Sequence, residues 1–297
     1  MDFAYYPGCS AHGSSKDYEL STQACCKELG ITLTEIPDWN CCGSTPAHAT
    51  GHELSAALCV RNLDIAAKQG ANLLVTPCPS CLSNLRAAKE HLKDAKFLDR
   101  VNVLLDEPVT AELPEATSVM QAMAQAISLD VLAAKVRKPL AGLKLVAYYG
   151  CLMSRPKERM QFEDPENPML MERMLEACGA EMLDFPLKTA CCGAAFGIPN
   201  RKLTQLNSGR ILSLAHDLGA DAIVVACPLC QMNLDLRQRQ AESGVKQIFN
   251  LPVLYYTQMI GLALGLEPKA LGLDKLIVTS NDLLAKWSQA KNLAKGA

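Results

Sequence analysis

Short apolar runs alternate with longer amphipathic stretches along most of the chain. The runs are predicted to be strands, and they lie at residues 2–6 and 143–149 and in "ITLTEI", "EMLDF", "NLLVT" and "AIVVA". Apolar residues recur at helical spacing in residues 16–29, 51–69, 168–178 and 200–218. Strands that alternate with helices in this way predict a parallel sheet covered on both faces.

This pattern occurs twice in the chain. The stretch "RNLDIAAKQGANLLVTPCPSCLSNL" aligns without a gap on "RILSLAHDLGADAIVVACPLCQMNL", so that Arg61 pairs with Arg210, Gly70 with Gly219 and Asn84 with Asn233. Upstream, "AYYPGC" matches "AYYGC". The predicted fold class is therefore α/β, with two pseudo-symmetric Rossmann-like lobes with parallel sheets, related by internal duplication.

Two further segments complete the predicted domain organisation. Residues 1–86 form the first lobe, 87–140 a helical connector, 141–245 the second lobe, and 246–297 a C-terminal helical tail packed on the second lobe. Within the connector we predict that "DEPVTAELPEA" is an exposed loop and that "SVMQAMAQAISLDVLAAKVRKPL" is helical.

Composition narrows the classes of function. The formal charge is -2, from 29 basic and 31 acidic residues, so the chain as a whole offers no basic field for nucleic acid or lipid. No stretch approaches the roughly 18 apolar residues of a membrane span, and "MDFAYYPGCS" lacks the pattern of an export signal. We expect a soluble, cytoplasmic protein that binds no nucleic acid and does not insert into a membrane.

The 14 cysteines are the main chemical signal. In the reducing cytoplasm, thiols serve metal ligation or redox chemistry more often than disulfides. Ten of them fall into two matching sets, in which an adjacent pair lies between a Gly-Cys and a Cys-x-x-Cys. The intervals are 31 and 35 residues in the first set and 39 and 34 in the second. The other four, Cys25, Cys26, Cys59 and Cys178, are predicted to be buried packing residues.

The topology predicts where the two sets lie. Cys9, Cys78, Cys151 and Cys227 each follow a predicted strand, and open α/β sheets bind ligands at the carboxyl ends of their strands. Glycine beside the cysteines lets the backbone approach a bulky group, since it has no Cβ. These glycines are Gly8, Gly43, Gly150 and Gly193.

Three kinds of site could use such cysteines. Structural zinc takes four ligands, which leaves one thiolate of each five unused. A thioredoxin-like Cys-x-x-Cys needs only two cysteines. Iron–sulfur assemblies are soft, sulfur-binding and polynuclear, so an extra thiolate can be used if the cluster is not a simple cube. An iron–sulfur cluster in each lobe is the favoured interpretation.

The spacing Cys-x31-Cys-Cys-Gly-x34-Cys-x-x-Cys resembles the cysteine-rich CCG domain, and the whole chain resembles the B subunit of heterodisulfide reductase. The resemblance implies two noncubane [4Fe-4S] clusters, one in each lobe, each held by five cysteines. The implied ligands of the first cluster are Cys9, Cys41, Cys42, Cys78 and Cys81. Those of the second are Cys151, Cys191, Cys192, Cys227 and Cys230.

The resemblance also implies a function in a complex. The chain would be the catalytic subunit of a disulfide oxidoreductase, which cleaves CoM-S-S-CoB or a related bacterial disulfide. Electrons would come from an HdrC-like ferredoxin subunit and an HdrA-like flavoprotein subunit. Two alternatives stay open: a subunit of a sulfur-oxidising Hdr-like complex that acts on thiol- or persulfide-bound sulfur, and a non-catalytic electron-transfer scaffold with zinc in one lobe.

A few positions depart from the methanogen enzymes that the chain resembles. Leu152 and Tyr255 stand where histidine is common, and "CCGAAFG" replaces a more glycine-rich run. We expect these positions to line the substrate cleft. His48 and His52 are predicted to have surface or helix-cap roles. The basic residues that flank the second cysteine set are predicted to lie on a solvated face, and these are Arg155, Lys157, Lys188, Arg201 and Lys202.

Overall fold

The computed structural model describes residues 1–44, 46–109 and 112–295, which form two sheets with helices around them. The first lobe and the connector contain β1 (Asp2–Tyr5), α1 (Lys16–Leu29), β2 (Thr32–Glu35), α2 (Pro46–Thr50), α3 (His52–Lys68), β3 (Leu73–Thr76), α4 (Pro79–His91), α5 (Ala95–Asn102), β4 (Glu115–Ser118), α6 (Val119–Ala126) and α7 (Leu129–Lys135).

The second lobe repeats much of this order and continues into the tail. It contains β5 (Lys144–Tyr148), α8 (Lys157–Met160), α9 (Leu170–Ala177), β6 (Glu181–Met182), a 3₁₀ turn (Ala194–Gly197), α10 (Arg201–Asp217), β7 (Ala222–Val225), α11 (Pro228–Gln231), a π turn (Met232–Leu236) and α12 (Gln238–Val245). The tail contains β8 (Val253–Tyr255), α13 (Tyr256–Ala263), a 3₁₀ turn (Leu273–Lys275) and α14 (Asn281–Lys295).

Both sheets have four parallel strands in the same topological order. The first is ordered β2-β1-β3-β4 and the second β6-β5-β7-β8. Asp2 pairs with Thr32 and Leu73 with Glu115 in the first sheet, while Lys144 pairs with Glu181 and Ile223 with Val253 in the second. The predicted α/β class with two similar lobes is confirmed.

The fourth strand of each sheet comes from outside the predicted lobe. β4 belongs to the connector and β8 to the tail. The predicted loop and helix are therefore wrong at Glu115–Ser118, which pairs with β3 over four residues. "EATS" has a single apolar residue and no alternation, so its strand conformation depends on pairing with a neighbour rather than on its own pattern. Positions 110 and 111 of the predicted loop lie outside the described residues. The domain limits themselves stay a prediction.

The two lobes share a hydrophobic core. One cluster of buried residues runs from Tyr5 and Val75 of the first sheet to Leu145 and Val225 of the second. A smaller cluster, which includes Leu74, packs the other face of the first sheet. All four residues of β7 are buried, as expected for a central parallel strand. Because the core is continuous, the two sheets are held in a fixed relation to each other.

The tail joins the two lobes. The ring of Tyr18 in α1 stacks on Tyr255 with centroids 3.9 Å apart, and its hydroxyl donates to the carbonyl of Ala226 at 3.3 Å. The hydroxyls of Ser21 and Thr257 lie 2.8 Å apart. Tyr255 is fully buried in this contact, so the expectation that it lines an open cleft is wrong. Tyr255 is the last residue of β8, and Tyr18 of α1 covers its ring.

None of the helices described is both long enough and apolar enough to cross a bilayer.

Tyr255→Ala is expected to lower the free energy of unfolding by about 3–5 kcal/mol, the usual cost of truncating a large buried aromatic residue. The cavity would lie where the tail meets α1. Denaturant unfolding of the full chain measures the change. Val103→Ala is the control, because this side chain is 84% exposed and is expected to be nearly neutral. An unchanged Tyr255→Ala protein would contradict the described interface.

Candidate metal centres

The two cysteine sets lie at the carboxyl ends of the strands of their sheets. Cys9 follows β1 and Cys151 follows β5, while the adjacent pairs follow β2 and β6. Cys78 and Cys227 are the residues that cap α4 and α11, and each is followed by a proline in the first turn. Proline suits this position because the first helical N–H has no partner within the helix.

The sulfurs of the first lobe lie in contact with one another. Cys41 Sγ is 3.7 Å from Cys9 Sγ, and Cys42 Sγ is 3.3 Å from Cys81 Sγ. The thiols of Cys78 and Cys81 are hydrogen-bonded, as are those of Cys41 and Cys42. The predicted five are therefore linked through successive sulfur contacts.

The second lobe repeats three of these four contacts. Cys192 Sγ lies 3.6 Å from Cys230 Sγ. Cys151 is hydrogen-bonded to Cys191, and Cys227 to Cys230. The backbone N–H after each adjacent pair also donates to its first sulfur, from Gly43 to Cys41 and from Gly193 to Cys191, both at 3.4 Å. The structure thus brings together each set that the spacing predicted.

These contacts favour thiolate at particular cysteines. Hydrogen bonds from the Cys41 and Cys81 thiols lower the pKa of Cys42 to about 3. A hydrogen bond from Cys151 lowers the pKa of Cys191 to about 6, and one from Cys230 lowers that of Cys192 to about 7. The partners that donate have raised pKa values, as at Cys230. Thiolate is the form of cysteine that binds metals.

Exposure divides each set into an inner and an outer group. Six of the ten cysteines are buried, namely Cys42, Cys78, Cys81, Cys192, Cys227 and Cys230. The outer group consists of Cys9, Cys41 and Cys191, which are exposed, and Cys151, which is partly exposed. Each lobe therefore has three inner sulfurs and two that face solvent.

Glycine beside the sulfurs is required by space and by backbone conformation. A Cβ on Gly8 would lie 3.1 Å from Cys81 Sγ, and one on Gly150 would lie 2.7 Å from Cys230 Sγ. Their φ angles are +75° and +69°, in the left-handed region that favours glycine. The backbone thus passes directly over the sulfurs, as expected from the sequence.

A pair of tyrosines outside the predicted site supports the adjacent cysteines. Tyr6 donates to the carbonyl of Asn40 at 2.9 Å, and Tyr148 donates to that of Ala190 at 2.6 Å. These carbonyls immediately precede Cys41 and Cys191. Both tyrosines are fully buried, and burial together with nearby cysteines raises their pKa. Each of these tyrosines stands three residues before the first cysteine of its set, Cys9 or Cys151, and this shared position was the signal in the sequence.

The carbonyl of the second cysteine in each pair is also held by matching residues. Asn84 donates to the carbonyl of Cys42 at 3.0 Å, and Asn233 donates to Cys192 Sγ at 3.4 Å and to the carbonyl of Ala194 at 3.0 Å. Cys59 and Ser208 donate to the carbonyls of Cys42 and Cys192 at 3.2 and 3.0 Å. Cys59 is buried as predicted, but it also belongs to this support.

Cys25, Cys26 and Cys178 are buried within the shared core, as predicted. Burial raises the pKa of each of their thiols. They therefore act as small apolar residues.

Lys188 is not on a solvated face, and that prediction is wrong. Its Nζ lies 2.6 Å from Glu172 Oε1, with 6% and 5% of the two side chains exposed. Tyr149 donates to the other oxygen of Glu172 at 2.5 Å. The Lys188 carbonyl accepts from the N–H groups of Tyr149 and Gly150 at 2.8 and 3.1 Å. These backbone hydrogen bonds join the segment before Cys191 to the segment before Cys151, and the ion pair holds Lys188 against α9.

The remaining flanking residues lie nearer the surface. Arg155 bonds Thr189 Oγ1 at 3.0 Å and also pairs with Glu166. Lys157, Arg201 and Lys202 are exposed, as predicted. His48 and His52 are exposed too, with ring centroids 4.9 Å apart.

The donor set fits a sulfur-ligated polynuclear group. Each lobe offers five thiols that meet in pairs, three of the five buried, beside glycines that have no Cβ. Soft thiolate ligands select iron–sulfur clusters, zinc or copper(I). Within the part of the chain that the structure describes, no three His, Cys, Asp or Glu side chains already converge on a single point as they would around one metal ion. The sulfurs instead meet in successive pairs.

Comparison with known proteins also finds two cysteine-rich domains in this chain. The chain matches the family model of the cysteine-rich domain, CCG, over residues 3–86 and again over residues 145–235. The crystal structure of a hypothetical protein from Helicobacter pylori has the same fold, with a TM-score of 0.74 at 17% identity, over 94% of this chain. The chain spans about half of that protein, 52% of its length.

Three curated relatives cover nearly the full length. One is the 8-methylmenaquinol:fumarate reductase membrane anchor subunit of Wolinella succinogenes, 34% identical over 95% of this chain and 99% of the relative. Another is the B subunit of the ferredoxin/F(420)H(2)-dependent CoB-CoM heterodisulfide reductase of Methanosarcina acetivorans, 27% identical over 95% of each chain. A protein of Archaeoglobus profundus, named as similar to the heterodisulfide reductase B subunit, is 26% identical over 96% and 97%.

Lys188→Met is expected to destabilise the protein by about 3–5 kcal/mol, because it leaves the Glu172 carboxylate buried without its partner. Lys188→Met/Glu172→Gln should recover most of this loss, since glutamine can still accept from Tyr149. Denaturant unfolding measures both variants. Lys144→Met, which breaks the exposed pair with Glu181, is the control and should change little. Equal effects at the two sites would contradict the buried-pair account.

Proposed function

The chain belongs to the CCG family of cysteine-rich domain proteins, and on that basis we propose that it is the catalytic iron–sulfur subunit of a heterodisulfide-reductase-type complex. The observation that carries the proposal is the repeated quintet of cysteines. The same sulfur contacts, the same glycines and the same supporting tyrosine and asparagine occur in both lobes.

The proposed cofactors are two noncubane [4Fe-4S] clusters. Cys9, Cys41, Cys42, Cys78 and Cys81 would hold one, and Cys151, Cys191, Cys192, Cys227 and Cys230 the other. An iron–sulfur cluster, when bound, supplies single electrons together with iron that prefers sulfur ligands. The inner cysteines sit where water is excluded, and the glycines give the backbone N–H groups room to approach the sulfurs.

The proposed reaction is the reduction of a small-molecule disulfide. One S–S bond breaks, two electrons and two protons are taken up, and two thiols are formed. Substrate would approach from the side of Cys9 and Cys41 in one lobe and Cys151 and Cys191 in the other, because these are the cysteines that reach solvent. Tyr6 and Tyr148 hold the backbone before each pair, so the outer sulfurs keep a fixed direction.

The electrons require a partner. We propose a ferredoxin-type subunit that in turn draws on a flavoprotein subunit, as the resemblance to heterodisulfide reductase implies. All fourteen cysteines are free, and a reducing compartment such as the cytoplasm keeps them so. The proposed substrate is CoM-S-S-CoB or a related bacterial disulfide, and turnover assays of the complex with each would distinguish them.

Metal analysis of anaerobically purified protein tests the cofactor proposal. Roughly eight iron atoms and a similar amount of sulfide per chain are expected from two four-iron clusters. Cys192→Ser should lose about half of the iron and all disulfide reduction by the complex with reduced viologen as donor. Cys25→Ala, a buried cysteine outside both sets, should retain the iron. Zinc without iron in the wild-type protein would overturn the proposal.

Gly150→Ala is expected to lose the iron of the second site, because the added methyl group would lie 2.7 Å from Cys230 Sγ. Gly219→Ala is a matched control, with φ +73° and nothing within 4 Å of its added Cβ. Both variants carry the backbone strain of about 1–2 kcal/mol for a left-handed residue. A loss of iron in Gly150→Ala but not in Gly219→Ala would therefore result from the contact with Cys230 and not from backbone strain. Equal iron retention in both would argue against a group bound close to Cys230.

A second candidate function is electron exchange with a quinol in a fumarate-reductase-type complex. The relative from Wolinella succinogenes favours it, since 99% of that protein aligns at 34% identity. The two candidates share the clusters and differ in the small molecule. Parallel assays of the assembled complex with a disulfide and with a menaquinol analogue would distinguish them, because only one is expected to support turnover.

A further inference from the structure

A cavity of about 280 Å³ lies where the two lobes meet. On one side it is lined by the turn that follows Cys9 and by the first turn of α1. On the other side it is lined by residues 231–236, which follow Cys230, and the tail closes it at Ile277. Leu236 and Ile277 are 50% and 58% exposed, so the cavity opens to solvent there. It therefore joins the surface to a segment that leads away from each cysteine set.

Asp17 is a buried acid in the wall of this cavity. Only 4% of the residue is exposed, and its carboxylate accepts from the N–H of Tyr18 at the start of its own helix. Gly272 of the tail packs against it, since a Cβ added there would lie 2.7 Å from the Cα of Asp17. Burial raises the pKa of Asp17 to about 6. A carboxyl with that pKa can take up and release protons near neutral pH, as a proton-transfer group must.

Other charged groups of the cavity face Asp17 from three elements. Asp235, across the cavity, raises the pKa of Asp17 further, whereas Lys275 of the tail lowers it. Lys16 lines the cavity from the helix of Asp17 itself. The carboxylate of Asp235 accepts three hydrogen bonds at 2.9–3.0 Å, from Gln231, Ile277 and Val278. Asp235 thus holds the tail in place, while Asp17 is left to exchange its proton with the cavity.

Two buried hydroxyls lie beyond Asp17, on the way to the second cysteine set. Ser15 occupies the N-cap position of α1, but its hydroxyl makes no capping bond. Within the described part of the chain, Ser15 Oγ and Tyr255 Oη are buried without a hydrogen-bond partner. Burial raises the pKa of Tyr255, and the charges of Asp17 and Cys227 raise it further, so Tyr255 lies close to both. Buried hydroxyls of this kind bond ordered water in proteins, and such hydroxyls carry protons from group to group.

The first lobe has no equivalent buried acid. The gap-free alignment of the two halves pairs Asp235 with Arg86, which donates to the carbonyls of Ala116 and Arg159 at 2.8 and 3.0 Å. A cavity of about 240 Å³ lies beside Arg86. The acids that line it are all exposed, namely Glu90, Glu115 and Glu158. Exposed carboxyls exchange protons with bulk water, so a protected route is expected on the Asp17 side alone.

We propose that Asp17 supplies protons to the disulfide reduction, through the hydroxyls of Ser15 and Tyr255, and this inference rests on the proposed function. A disulfide bound over the exposed cysteines would exclude water, so its protons need an internal route. The S–S bond breaks, and two electrons from the partner subunit convert it to two thiolates. Asp17 gives its proton to one thiolate and becomes a carboxylate. Solvent in the cavity returns a proton to Asp17, which then serves the second thiolate.

The pH dependence of disulfide reduction tests the proposal, with the assembled complex and reduced viologen as donor. The wild-type kcat is expected to fall as the pH rises through about 6, because Asp17 must be protonated to donate. Asp17→Asn should lower kcat at pH 6 at least about tenfold, abolish this pH dependence and leave KM nearly unchanged. Asp17→Glu should restore most of the rate. Asp130→Asn, the same exchange in the first turn of the exposed helix α7, should keep the wild-type profile.

Infrared difference spectroscopy measures the proton on Asp17 without turnover. A carboxylic acid band that disappears as the pH rises through about 6 is expected in wild type and not in Asp17→Asn. Iron per chain in the same preparations checks the metal centres. The inference is overturned if the band is absent from wild type, if Asp17→Asn keeps the wild-type pH profile, or if it lowers kcat equally at every pH. A wild-type complex that shows the band and holds iron but reduces no disulfide would overturn the proposed function, and with it the use of this proton.

Discussion

The close passage of the backbone over sulfur is the constraint on which both sites depend. A parallel sheet brings the loops after its strands to one edge. Five thiols can meet there only if the residues beside them leave room for the sulfur atoms. Gly8 and Gly150 do so by lacking a Cβ and by adopting positive φ beside Cys81 and Cys230. A side chain at either position would separate the Gly-Cys segment from the Cys-x-x-Cys turn.

Around this contact, hydrogen bonds hold the backbone on both sides of each adjacent cysteine pair. The carbonyl before each adjacent pair accepts from Tyr6 or Tyr148, and the support after the pair comes from Asn84 or Asn233. A buried carbonyl left unpaired costs about 1–3 kcal/mol, so these partners stabilise one loop conformation over others. They also explain why aligned tyrosines and asparagines persist in two halves whose surfaces have diverged.

Much of this arrangement follows from the sequence, and the exceptions have physical causes. Helical and strand periodicity predict the two lobes, and the spacing of cysteines predicts which thiols meet. "EATS" was missed because its strand conformation comes from pairing with β3. The burial of Lys188 depends on Glu172, a residue in another element that no local pattern identifies. The net charge of -2 is an average, and it conceals the acid-free stretch at residues 186–216.

The shared core fixes the position of one lobe relative to the other, which duplication alone would not do. Two independent lobes would be free to move, and the separation of their sulfur sites would vary. Here Tyr18 of the first lobe stacks on Tyr255 of the tail and bonds the carbonyl of Ala226, the residue before Cys227. A helix of one lobe therefore abuts the segment that leads into Cys227 of the other, and the continuous core holds the two cysteine sets at one separation. Chemistry that uses both sites at once requires such rigidity, because a substrate that bridges them fixes the distance between them.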